Sequence, residues 1–216
     1  MTIADLMTGS AAGLHRQFQI ALDPVRDTQA TFRVVLNALS WPGSVWRLPT
    51  AAAGAPANAW AAAVLITLLD HETTLATEAL PALAELATFV RQRTSHSPAA
   101  LDRADFVLVS GEGADATLPG SVALGSLSYP EESATVIVLV PSLDPAAGGL
   151  QLGLAGPGVP PGLTAQVAGI PQAFWLARTA VVSAYPCGFD LVLIDDEGRI
   201  AAFPRTTAIT PTPEEA

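Results

Sequence analysis

The groups best suited to chemistry stand in Pro204-Arg205-Thr206-Thr207. A β-type run ends at Phe203, and proline blocks further strand pairing. A guanidinium fork and two hydroxyls follow at once, a set able to hold a phosphate or carboxylate bidentately. The same arginine could instead pair with a carboxylate of its own fold, Asp190 on the neighbouring hairpin strand. Gly156-Pro157-Gly158 follows a strand, and its turn amides could cradle an anion. It is not the G-x-G-x-x-G of a dinucleotide site, and a plain tight turn is the alternative. Arg33 and Asn37, four apart on a helix, form either a solvated polar face or an interface. Arg205, Thr206, Thr207, Asp190, Arg33, Gly156 and Gly158 are therefore the candidate anion-binding or interface residues.

Nothing else assembles a reaction centre. The three histidines, His15, His71 and His96, share no ligand spacing and read as ordinary surface histidines. Cys187 lies in Tyr185-Pro186-Cys187-Gly188 with no base beside it, and reads as an inert small hydrophobe. H-E-x-x-H, G-x-S-x-G and EF-hand patterns are absent from the sequence. No catalytic, metal-binding or cofactor-binding residue is assigned.

Composition removes whole classes of function. The 216 residues carry 10 basic and 20 acidic side chains, a net charge of −10, which argues against nucleic-acid and anionic-membrane surfaces. Every basic residue is arginine. Without lysine there is no Schiff base for pyridoxal phosphate, no G-x-x-x-x-G-K-[ST] phosphate loop and no kinase strand lysine. One cysteine cannot ligate an iron–sulfur cluster or close an internal disulfide, which suits a reducing compartment. No secretory signal is expected, and the longest apolar run, Ala59 to Leu69, is too short to span a bilayer. A cytoplasmic protein is expected.

These residues must be held by a folded frame, and half the chain is hydrophobic. Asp27–Ser40 predicts an amphipathic helix with Phe32, Val35, Leu36 and Leu39 on one face, capped by Asp23 or Asp27 and stopped by Pro42-Gly43. Trp41 and Trp46 in the following turn are expected as buried anchors. Ser44–Leu48 suits a short strand, and Asn58–Leu69, apolar all round, a buried helix. Leu75 falls in a short strand, Pro81–Arg93 in a second amphipathic helix, and Phe106–Ser110 in a strand. Ala134–Val140 reads as a strand buried on both faces, with the alternating Leu150–Leu154 pairing against it. Ile170–Ala184 predicts a third helix carrying Phe174, Trp175 and Val181. Phe189–Ile194 and Ile200–Phe203 form a hairpin around Asp195-Asp196-Glu197-Gly198. Interleaved helices and strands predict one α/β domain with a mixed sheet over residues 18–210. Residues 1–17 and 211–216 are expected to be loosely ordered, the looseness beginning near Thr210.

Several of these stretches, in this order, resemble one family. Asp23-Pro24-Val25, Gln29-Ala30-Thr31-Phe32-Arg33 and Ala38-Leu39-Ser40-Trp41-Pro42-Gly43 follow a pattern D-x-Q-x-x-F-R-x-x-L-x-A-x-S-x-P-G. Pro130 to Thr135, Gly156 to Val159, Pro186 to Leu191 and Pro204 to Thr207 continue it. The chain is similar to the phosphonate-metabolism PhnH family, the H subunit of bacterial carbon–phosphorus lyase. Cys187 departs from the family motif, which has an unspecified, often aliphatic residue there. The resemblance implies a three-layer α/β/α fold with a mixed central sheet, related to the pyridoxal-phosphate transferases but without the cofactor. It implies a homodimer joined to the G, I and J subunits. It also implies an accessory role, with the G, I and L proteins, in forming ribose 1-phosphonate 5-triphosphate from ATP and an alkylphosphonate with release of adenine. The later radical cleavage of the C–P bond needs an iron–sulfur cluster, which this chain cannot supply.

Overall fold

Short apolar runs separated by segments long enough for a crossover can pair in parallel. In the computed structural model, which describes residues 22–56 and 58–212, they do so. β1 (Trp46–Arg47), β2 (Thr74–Thr77), β3 (Ser97–Pro98), β4 (Phe106–Ser110), β5 (Thr135–Val140), β8 (Asp190–Asp195) and β9 (Arg199–Phe203) form one sheet in the order β1-β9-β8-β5-β4-β2-β3. Strands β8, β5, β4, β2 and β3 are parallel neighbours. The tight hairpin makes β9 antiparallel to β8, and β1 pairs antiparallel to β9 at the edge. The sheet is therefore mixed and the domain α/β.

Alternation along the strands divides the core. Leu108, Ile137, Val192 and Ile194 face α1 (Arg26–Ser40), α2 (Ala59–Leu68) and α3 (Pro81–Thr94). Val107, Val109, Val136, Val138, Leu191 and Leu193 face the other way. There they meet α4 (Leu118–Ser121), α5 (Gln172–Val182) and a second sheet of β6 (Leu150–Ala155), β7 (Thr164–Val167) and β10 (Ala208–Pro211). The expected pairing of Leu150–Leu154 with Ala134–Val140 does not occur. Both edges of β5 are taken, by β4 and β8. The Leu150/Leu152/Leu154 alternation instead suits an antiparallel sheet with one wet face, and β6 pairs with β7 and β10. Strand β10 runs over Ala208–Pro211.

Helix α1 is rotated from its expected seating. It buries Thr31, Val35 and Ala38, whereas Phe32 and Leu36 are exposed. The stripe turned inward is the small-residue one, which lets α1 approach the alanine-rich α2 closely. Trp41 is likewise half exposed, and only Trp46 packs against the core. Asp23 and Asp27 cap the helix reciprocally. Asp23 Oδ1 accepts from the amides of Val25 and Arg26, and the Asp23 amide donates to Asp27 Oδ2 at 2.9 Å. Asn58 caps α2 by accepting from the Trp60 and Ala61 amides. Its Nδ2 donates to the Asp195 carbonyl and to Asp196 Oδ1, tying the helix to the β8–β9 turn.

Candidate functional site

The strand β8 begins where β9 ends, so Asp190 lies beside the Pro204–Thr207 turn. Asp190 Oδ1 accepts from the Arg205 amide at 2.8 Å, and Asp190 Oδ2 from Arg205 Nη2 at 2.8 Å. Arg205 Nη1 donates to the Pro130 carbonyl at 2.8 Å. The guanidinium is thus engaged on two sides and mostly covered. Of the two roles open to Arg205, pairing within its own fold is the one observed. Thr207 is fully buried, whereas Thr206 is exposed.

The neighbouring stretches close around this pair. Gly188 donates its amide to the Leu124 carbonyl, and Asp190 donates its amide to that of Ala134. Gly156, at φ +140°, lies so near the turn that a Cβ would sit 2.7 Å from the Thr206 carbonyl oxygen. A Cβ on Gly158, at φ +75°, would sit 2.5 Å from the Ser40 carbonyl oxygen, at the end of α1. Both positions need glycine for conformation and for space. Arg205, Thr206, Thr207, Asp190 and Gly156 are therefore brought together, while Gly158 lies against the end of α1. Arg33 stands outside the group, exposed on α1 beside Asn37.

Arg178, which sequence reasoning did not single out, holds the turn from inside. It is fully buried on α5. Its Nη1 donates to the Thr207 carbonyl at 3.2 Å, and its Nη2 to those of Phe203 and Pro204 at 2.9 Å each. Burial pushes the guanidinium down to about 10, with Asp190 opposing the shift. It remains a cation at neutral pH. The available signal was composition: Arg178 is the one charged residue between Pro171 and Phe189.

A second ionic group sits at the other end of the sheet. Asp195 Oδ1 accepts from the Glu197 and Arg199 amides, and Oδ2 from the Leu143 amide and Arg199 Nη1. Arg199 Nη2 lies 3.0 Å from Asp144 and 2.9 Å from Glu197. Burial alone would raise Asp195, but the three amides and the guanidinium outweigh it and hold the carboxyl below its ordinary value.

The remaining candidates divide simply. His96 is buried rather than exposed; its Nδ1 lies 2.8 Å from the Thr94 hydroxyl, and burial together with Arg91 lowers its pKa. His71 is exposed, and His15 lies outside the described residues. Among the described residues no group of three or more His, Cys, Asp or Glu side chains is arranged to hold a metal ion, and no helix is long and apolar enough to cross a membrane. A cleft of about 300 Å³ between Val45 and β7 carries no charged side chain. Neither does one of about 740 Å³ between Gly149 and Gln172. A smaller cleft, of about 140 Å³, holds two carboxylates, Glu78 and Asp115. Arginine, the group needed for a phosphate, lines none of the three.

Residues 20–210 match the model of the bacterial phosphonate metabolism protein PhnH. The chain is 34% identical over 194 residues to the alpha-D-ribose 1-methylphosphonate 5-triphosphate synthase subunit PhnH of Rhizobium meliloti (strain 1021), covering 87% of this chain and 92% of that protein. It is 34% identical over 181 residues to the putative C-P lyase subunit protein HtxG of Stutzerimonas stutzeri, covering 84% and 85%. With residues 20–210 matched by one family model and a relative 34% identical over nearly its whole length, the chain belongs to the PhnH family of bacterial phosphonate metabolism proteins.

Proposed function

We propose that this chain is an accessory subunit of the carbon–phosphorus lyase system. In that role it supports formation of ribose 1-phosphonate 5-triphosphate from ATP and an alkylphosphonate without an active site of its own. The observation that carries the reading is the state of three arginines, one buried and two mostly covered. Arg205 is engaged by Asp190 and Pro130, Arg178 by three carbonyls, and Arg199 by three carboxylates. The clefts of about 300 and 740 Å³ carry no charge. Such groups build a frame. The relatives are themselves described as subunits.

On the same reading the chain is a cytoplasmic homodimer that joins the G, I and J subunits. Its fold is a reduced pyridoxal-phosphate-transferase-like arrangement in three α/β/α layers. The Arg205–Thr207 group then shapes an interface. An anion site there would require Arg205 to release Asp190.

Co-expression with the G, I and J subunits, followed by size exclusion with mass determination, tests the reading. Co-elution in fixed stoichiometry is expected. Elution apart from those subunits overturns it. Titration of the isolated chain with methylphosphonate and ATP should show no heat; binding abolished by Arg205→Ala would establish the anion site instead.

A further inference from the structure

We infer that the β3 edge of the main sheet is an acid-opened latch, closed while His96 is neutral and released when its imidazole gains a proton. Strand β3 is two residues long, Ser97–Pro98, and covers the outer edge of β2. The Ser97 amide donates to the Thr73 carbonyl and the Ala99 amide to that of Leu75, both at 3.1 Å. Pro98 between them has no amide to add. So short an edge strand opens locally at far lower cost than the core of the sheet.

The chain enters β3 through a strained joint. Ser95, which ends α3, stands at φ +61°, the one non-glycine residue at positive φ among the described residues. A side chain stays in that region only where its surroundings hold it. Here the Arg91 carbonyl accepts from the Ser95 amide at 2.9 Å, and the next residue, His96, is 3% exposed between two exposed serines. Its Nδ1 lies 2.8 Å from Thr94 Oγ1, which itself donates to the Val90 carbonyl. With the single hydroxyl proton directed to Val90, the imidazole donates from Nδ1 and keeps its lone pair on Nε2. A second proton goes to Nε2, which has no protein acceptor among the described residues.

The surrounding charges do not compensate. Helix α3 ends with Arg91 and Arg93, the turn before β2 carries Asp70, His71 and Glu72, and the link to β4 carries Asp102, Arg103 and Asp105. Asp70 accepts from the Glu72 amide, Glu72 lies 3.9 Å from His71, and Asp105 accepts from Thr74. Among the described residues no carboxylate pairs with His96. Burial, and after it the positive charge of Arg91, lowers its pKa. A histidine of lowered folded pKa leaves stability intact above its unfolded value of about 6.5, and stability is lost as pH falls below it. The loss falls on β3, into which His96 leads directly, and opening bares the edge of β2.

The inference is independent of the accessory-subunit reading. Hydrogen exchange of the full chain, expressed as protection factors between about pH 7.5 and about pH 5, tests it. Protection at the Ser97 and Ala99 amides should fall severalfold with acid, while that of the central strand β5 stays unchanged. His96→Asn, which keeps hydrogen-bonding groups near Nδ1 but does not titrate, should abolish the fall. The ring of His96, followed by NMR, should titrate below about 6.5. Flat protection at Ser97 and Ala99 overturns the inference, as does an equal fall in β5, the same fall in His96→Asn, or a ring that titrates at or above that value. Should His96→Asn not fold, exchange and ring titration of the native chain decide alone.

Discussion

Arg205 holds Asp190 through its backbone amide and Nη2, both at 2.8 Å, and through Nε at 3.4 Å. One residue thereby fixes both the position of the Pro204–Thr207 turn and the sign of the charge beside it. A further contact, to Pro130, fastens the segment before β5 to the same point. The side chains are 18% and 26% exposed, so the pair is shielded without being dry.

Removing one partner should therefore cost stability. Arg205→Ala and Asp190→Asn are each expected to lower unfolding free energy by about 2 kcal/mol, because each leaves a partly buried charge unpaired. The double variant should cost less than the sum of the two. Urea denaturation of the four proteins measures the coupling; strict additivity would show that the pair is idle.

Arg178 should matter more. Its guanidinium joins three carbonyls of the turn, those of Phe203, Pro204 and Thr207, from the buried side. Arg178→Met is expected to cost roughly 3–5 kcal/mol. Arg178→Lys should recover only part, since an ammonium cannot span carbonyls on both sides of the turn. Hydrogen exchange gives the local reading: the Thr207 amide, bonded to the Pro204 carbonyl, should exchange faster in Arg178→Lys than in the native chain. Unchanged exchange there would remove Arg178 as the holder of the turn.

The acid limb of stability follows from Asp195. Its folded pKa lies below the unfolded value of about 3.9, because amide and guanidinium donors outweigh burial. A depressed carboxyl contributes stability that is complete above the unfolded pKa. That contribution is lost as pH falls through the folded one. Stability should thus fall as pH drops below about 4. Asp195→Asn should cost about 2 kcal/mol at neutral pH and show a shallower acid limb. Parallel acid limbs in the two proteins would assign the loss to other carboxyls.

Much of this frame was legible in the sequence. The β-branched Thr135–Val140 run, the β8–β9 hairpin and the helices α1, α2, α3 and α5 lie within a few residues of their expected places. What failed was partnership. Periodicity tells that Leu152 and Leu154 face inward, but not which sheet receives them. It likewise ranked Phe32 and Leu36 above Thr31 and Ala38 for the core of α1. Burial there is decided by how closely the neighbouring helix approaches, which hydrophobicity does not encode. The site followed the same division. Asp190 as partner of Arg205 could be named from the hairpin, because the two strands are adjacent in sequence. Arg178 could not, because its carbonyl partners carry no sequence signature.

The glycines of the 156–158 turn offer a contrast that separates conformation from space. Gly156, Gly158 and Gly162 all have positive φ. A side chain at Gly162 meets nothing within 4 Å, so Gly162→Ala bears only backbone strain, about 1 kcal/mol. At Gly156 a Cβ adds a collision with the Thr206 carbonyl, and at Gly158 one with that of Ser40. Neither backbone can move freely, since Thr207 is tied to Arg178 and Ser40 closes α1. Gly156→Ala and Gly158→Ala are therefore expected to cost about 3 kcal/mol each, strain and overpacking together. Thermal melts of the three variants rank them directly. Equal losses at all three positions would mean that φ alone fixes these glycines, and that the Gly156–Thr206 approach contributes nothing to holding the turn.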